Sequence, residues 1–198
     1  MTVLTASELK PYLDASARLH HDRLCPRQVL GVRMALYAGE LLGLDLPRAD
    51  KRLFVFVEID GCFTDGIGET TGCRMGGRTM RLVEYGKIAA TFVDAETGRA
   101  VRLSPSHEAR ARAARYAPNA ESRWHTQLEG YQLMPAEELF DVLWTTVDYV
   151  PKQLEHGESA RSECDNCHEE VTNNLHVQVG DRSLCRACAN GAYYQLPS

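Results

Sequence analysis

Leu9, Leu13, Ala17 and His20 recur at helical intervals near the start of the chain, and Thr5 and Glu8 stand at capping-box spacing ahead of them. Pro11 is out of place beyond a first turn, so the regular helix is expected to begin later than the box suggests. A wider stripe follows. Val29, Leu30, Ala35, Leu36, Leu41 and Leu42, with Pro26 at a first helical position and Gly43 as the stop, predict the spine of a core. The period then shortens to two. Leu53, Val55, Val57 and Ile59 fall on one face of a strand, with Phe54, Phe56, Glu58 and Asp60 on the other, so its end presents two carboxylates on one side.

Beyond Cys73 the pattern predicts an antiparallel meander over 79–83, 88–93 and 100–103, with a turn at Asp94-Ala95-Glu96-Thr97-Gly98. Ser104-Pro105 reads as the cap and first residue of a helix rich in Ala and Arg. A further helix is expected over 121–128 and a last strand over 139–147. The class is therefore α+β, helices against a mainly antiparallel sheet. Residues 154–163 are polar, small and free of apolar period, as in a linker. They divide the chain into a core domain, residues 1–155, and a small C-terminal domain, residues 156–198.

In that C-terminal piece Cys164 and Cys167 form one C-x2-C knuckle and Cys185 and Cys188 another, seventeen residues on. Two such knuckles supply four thiolates to one tetrahedral zinc, at about 2.3 Å per bond. So short a segment has too little apolar surface to fold unaided, and the metal would serve as its core. A treble-clef or ribbon-like zinc finger holding one structural zinc is expected. His168 and His176 fall within it but are left out, since four sulfurs fill the shell. The net charge of −5 and an acidic finger argue against a nucleic-acid surface. No apolar run approaches the roughly 20 residues that span a bilayer. Met1-Thr2-Val3-Leu4 leads into a polar amphipathic stretch, with no basic region followed by an apolar run. The expectation is a cytoplasmic protein without membrane partners, whose seven cysteines serve metal or thiol chemistry rather than disulfides.

The other three cysteines lie in the core domain. Cys25 precedes Pro26 and so occupies a helix N-cap, where backbone N–H groups and the positive helix end stabilise a thiolate. It is either a reactive or metal-binding thiol or a half-buried cysteine at a helix start. Cys62 follows the strand that delivers Glu58 and Asp60, and Cys73 lies in a glycine-rich stretch. Together with His21 these cysteines could converge on one soft metal or form a redox pair. Lys87, at the start of a predicted strand, either points into the same pocket and holds an anion or is an ordinary solvated lysine. Glu58, Asp60 and the weaker candidate Asp65 either orient a metal-bound partner or end exposed. Trp124, His125 and Tyr131 are assigned to packing.

The chain resembles the FmdE family, named for the E component of formylmethanofuran dehydrogenase. The resemblance rests on His21-Asp22-Arg23-Leu24-Cys25-Pro26 with Leu30-Gly31, Val57-Glu58, and Asp60-Gly61-Cys62 with Asp65. Thr71-Gly72-Cys73, Tyr85-Gly86-Lys87 and Thr97-Gly98-Arg99-Ala100 complete it, with the four-cysteine tail. It implies an α+β homodimer in which His21, Cys25, Cys62 and Cys73 form a cofactor pocket able to hold a second metal. Arg23 stands where the family commonly has a second histidine. The implied role is an accessory or subunit-type protein with a protein partner, linked to molybdenum or tungsten one-carbon redox metabolism. The residues also leave open a stand-alone enzyme using Cys25, with Lys87 or His21 managing protons, and, less favoured, a zinc-finger regulator.

Overall fold

In the computed structural model, which describes residues 5–148 and 161–195, the chain divides into two compact units, Met1–Asp148 and Tyr149–Ser198. Most of the predicted linker, and the boundary between residues 155 and 156, lie outside the described residues. The end of that stretch, Ser162–Glu163, is not linker but a short strand.

Helix α1 (Ala6–Arg18) starts at Thr5, whose hydroxyl accepts the Glu8 N–H while the Glu8 carboxylate accepts the Thr5 N–H at 2.8 Å. The capping box sets the start, and Pro11 is carried inside the helix instead of delaying it. Helix α2 (Pro26–Leu42) runs from Cys25 to Gly43, whose φ of 71° is the left-handed stop that glycine provides. Thirteen of its seventeen residues are buried. It is therefore a central helix, apolar nearly all round, and not a surface helix with one stripe.

A five-stranded sheet is ordered β2-β1-β3-β4-β5, from β1 (Leu53–Val57), β2 (Met80–Leu82), β3 (Ala90–Asp94), β4 (Ala100–Pro105) and β5 (Phe140–Thr145). Three of its pairings are antiparallel, but β2 runs parallel to β1 with Val55 opposite Met80. Residues 79–83 thus do not begin a meander. A parallel pair needs a crossover, and here it is helix α3 (Cys62–Thr71), which the sequence pattern does not predict.

Two other expectations change. Ser104 and Pro105 do not start a helix; they extend β4, opposite Asp141 and Phe140, and helix α4 (Ala109–Tyr116) starts later, after Glu108. Helix α5 (Arg123–Leu133) is capped by Ser122, whose hydroxyl accepts the His125 N–H, and a single turn, α6 (Ala136–Leu139), leads into β5. Arg33 ties α5 to the spine. Its buried guanidinium donates to the carbonyls of Tyr131, Gln132 and Met134 at 2.7–2.8 Å, so it caps carbonyls that a helix C-terminus leaves without partners. Burial lowers its pKa to about 10, opposed by Glu137, so it stays charged at neutral pH.

The second unit contains two hairpins, β6 (Ser162–Glu163) with β7 (Glu170–Val171) and β8 (Val177–Val179) with β9 (Arg182–Leu184). A short helix, α7 (Arg186–Asn190), follows. Knuckle, hairpin and helix in that order give the expected treble-clef arrangement. Among its described residues only Cys164 and Leu184 are buried apolar side chains. No described helix in either unit is long and apolar enough to cross a membrane.

Candidate functional site

Close helix contact builds the thiol pair of the main unit. A Cβ on Gly31 of α2 would overlap the Phe63 carbonyl oxygen of α3, and one on Gly66 of α3 would lie 2.6 Å from the Gln28 carbonyl oxygen. Only glycine lets the two backbones cross so closely. That crossing brings the helix starts together, with Cys25 before the first residue of α2 and Cys62 as the first residue of α3. Their sulfurs are 3.2 Å apart, within S–H···S distance.

Gln28 anchors this corner. It is fully buried; its Oε1 accepts the Cys25 N–H at 2.7 Å and its Nε2 donates to the Ser16 carbonyl and hydroxyl, fastening the end of α1 to the start of α2. The Cys62 thiol is pushed up to about 11, first by burial and then by its contact with Cys25. One proton therefore stays with the pair at neutral pH unless a metal displaces it.

The other core candidates distribute around this pair. His21 and Asp22 form the exposed turn between α1 and α2, both with positive φ (55° and 60°). The preceding residue, His20, faces α3 instead: its Nε2 lies 2.8 Å from Asp65 Oδ2, one turn along from Cys62. In the sequence His20 is only the last member of a helical stripe, and nothing in its spacing distinguishes it from His21. Asp65, the weakest carboxylate candidate by sequence, is the one beside the site.

Glu58 is buried in a two-pronged pair with Arg102 of β4, at 2.6 and 2.8 Å, which fastens β1 across β3. Asp60 is exposed on the turn before α3. Cys73 does not join the other two thiols. It is buried, its Sγ donates to the Leu53 carbonyl at 3.3 Å, and burial raises its pKa. It borders a crevice of about 190 Å³ that Asp65 also lines. The convergence of His21, Cys25, Cys62 and Cys73 is thus reduced to the pair Cys25–Cys62. Lys87 is exposed and lines a larger groove at the start of α2.

In the second unit Cys164, Cys167, Cys185 and Cys188 place their sulfurs within 4.8 Å of one another, the one group of three or more such ligands among the described residues. The Cys167 and Cys185 sulfurs are 3.9 Å apart. A tetrahedron with bonds of about 2.3 Å has edges of about 3.8 Å, so this donor set fits a zinc-sized ion. Backbone N–H groups aim at the sulfurs: Cys185 N–H donates to Cys164 Sγ at 3.2 Å and Cys188 N–H to Cys185 Sγ at 3.4 Å. Donors from the backbone of Cys167, Cys185 and Asn166 lower the Cys164 pKa to about 6, against the effect of burial. His168 is turned outward to Glu163.

An α+β unit with paired thiols at two helix starts, joined to a four-cysteine unit of metal-binding geometry, defines a class of thiol-bearing two-unit proteins. Residues 20–141, which hold the whole core site, match the family model described as "FmdE, Molybdenum formylmethanofuran dehydrogenase operon", and the chain belongs to that family. The fold is similar to a crystal structure of an FmdE-like protein of the tungsten formylmethanofuran dehydrogenase type from Syntrophus aciditrophicus. That comparison has a TM-score of 0.65 and 18% identity, over 98% of this chain and 100% of the other. A probable S-adenosyl-L-methionine-binding protein of Archaeoglobus fulgidus is 33% identical over 90 residues, 44% of this chain. The chain spans 25% of the length of that relative.

Proposed function

We propose that this chain is a metal-binding accessory protein of its family, serving a molybdenum- or tungsten-dependent one-carbon redox enzyme. In this reading the second unit holds one structural zinc on Cys164, Cys167, Cys185 and Cys188, and the main unit holds a second metal at Cys25 and Cys62. The observation that carries the core site is the 3.2 Å approach of those two sulfurs at adjoining helix starts. Each helix end favours a thiolate, and a cation would relieve the repulsion between the two. Imidazole from the His20–His21 turn completes the proposed donor set, with Asp65 orienting His20 as carboxylates orient metal-bound imidazoles. Cys73 is left out because its thiol already has a partner.

The zinc supplies a cross-link where apolar burial is nearly absent. A protein partner is part of the proposal, since the family is described by the operon of a dehydrogenase. So is a homodimer. Edge strand β5 leaves Val142, Leu143 and Trp144 exposed at 38%, 57% and 49%, an apolar edge of the kind that second copies cover.

Metal analysis of the purified protein tests the central claim. Two metals per chain, falling to one in a Cys25→Ser, Cys62→Ser variant, is the expected result. One zinc, unchanged in that variant, removes the core site and leaves only the finger.

A further inference from the structure

The largest groove described in the main unit, about 500 Å³, opens where Pro26 starts α2 and Ala109 starts α4. Arg27, Lys87, His107 and Arg110 line its exposed rim. No aspartate or glutamate lines it, and none of these four side chains has a carboxylate partner among the described residues. Other arginines of the chain are differently placed: Arg52 is paired with Asp94, Arg102 with Glu58 and Arg112 with Glu108. In a chain of net charge −5, leaving three permanent cations unmatched around one concavity is a local reversal of sign. Below the rim the wall is apolar, with Leu30 and Tyr131 buried and Ile88 half-buried.

We propose that this groove is a binding site for a small organic oxyanion, a phosphate or carboxylate ester or acid with an aromatic or aliphatic body. The guanidinium forks of Arg27 and Arg110 take the oxyanion, since a planar fork matches two oxygens at once. Lys87 adds a point charge, and the body rests on Leu30, Ile88 and Tyr131. Two helix starts facing the same space add partial positive charge without side-chain cost. The volume is in the range that holds ligands of drug to nucleotide size. This site does not depend on the metal proposed at Cys25 and Cys62, although Pro26 borders it and Cys25 is the preceding residue.

Isothermal titration of the full-length protein with phenyl phosphate and with benzoate, against phenol as the neutral control, tests it. Saturable binding of at least one anion is expected, weakened steeply by salt and at least tenfold tighter than phenol. An Arg27→Ser, Arg110→Ser variant should lose about tenfold or more in affinity, because hydrogen bonds to charged groups are the strong ones. Both side chains are exposed, so an unchanged melting temperature certifies that the fold is retained. The Cys25→Ser, Cys62→Ser variant should bind the anions as the parent does, which separates this site from the metal reading. Absence of saturable binding by either anion, equal affinity for phenol, or equal affinity in the double-arginine variant would overturn the proposal. Phosphate-over-benzoate preference, or the reverse, names the oxyanion.

Discussion

The two sulfur sites of this chain invert the relation between chemistry and fold. In the main unit a continuous core, from Leu9 and Leu13 through Phe63 and Phe92 to Met134 and Leu139, is complete before any thiol is considered, and Cys25 and Cys62 are delivered by it. In the second unit only Cys164 and Leu184 are buried apolar side chains among the described residues, and the four sulfurs are the centre about which the hairpins are arranged. The fold positions the sulfur in one unit, and the sulfur positions the fold in the other. Metal removal should therefore dismantle one and spare the other.

The largest effect expected is on the second unit. A strong chelator, or Cys164→Ser, forfeits most of a folding energy that for such zinc sites is about 10 kcal/mol or more. Circular dichroism and amide exchange should show residues 161–195 unfolding while the main unit melts as before. Simultaneous loss of both units would break the comparison.

Gly31→Ala comes next, at about 3 kcal/mol, because its methyl group meets backbone with nowhere to retreat. It should separate α2 from α3 and slow oxidative cross-linking of Cys25 to Cys62, leaving the zinc content of the second unit intact. Gln28→Leu should cost about 2 kcal/mol, as it strands the Cys25 N–H and the Ser16 carbonyl in a dry corner.

A smaller contribution, about 1–2 kcal/mol, is expected from Asp94. Two bonds from Arg52, the main cause, with further donors from Thr97 and the Glu96 N–H, hold its carboxyl well below the ordinary range. A folded-state pKa below the unfolded value contributes fully above the unfolded value, about 3.9, and its contribution is lost as pH falls toward the folded one. Urea melts of Asp94→Asn and the parent should differ at pH 7 and converge toward pH 2. A constant difference across that range would refute the assignment.

Much of this is legible in the chain, and the exceptions have physical causes. Thr5 with Glu8, Pro26 and Gly43 are local signals, and each acts at the position where it is read. Helix α3 escapes because Gly66, Gly68, Thr64, Thr70 and Thr71 are poor helix formers. Packing against α2 overrides that preference, and Thr70 and Thr71 turn their hydroxyls back to the Gly66 and Ile67 carbonyls at 2.8 Å. Missing α3 also hides the parallel direction of β2, since the crossover goes unseen. Ser104-Pro105 misleads because a helix start and a strand end use the same residues, and only the pairing with Asp141 and Phe140 decides between them. The four finger cysteines are evident from spacing alone. The core pair is not, since a turn separates its histidines and thirty-seven positions separate its sulfurs.

Arg33 has one more consequence. By saturating three carbonyls at the end of α5, it fixes the helix that contributes Gln127 and Tyr131 to the basic groove. A ligand arriving there meets a wall whose shape is already set, and only the rim side chains remain to be ordered. Association should then be fast, with a modest entropic penalty and little movement of the main chain.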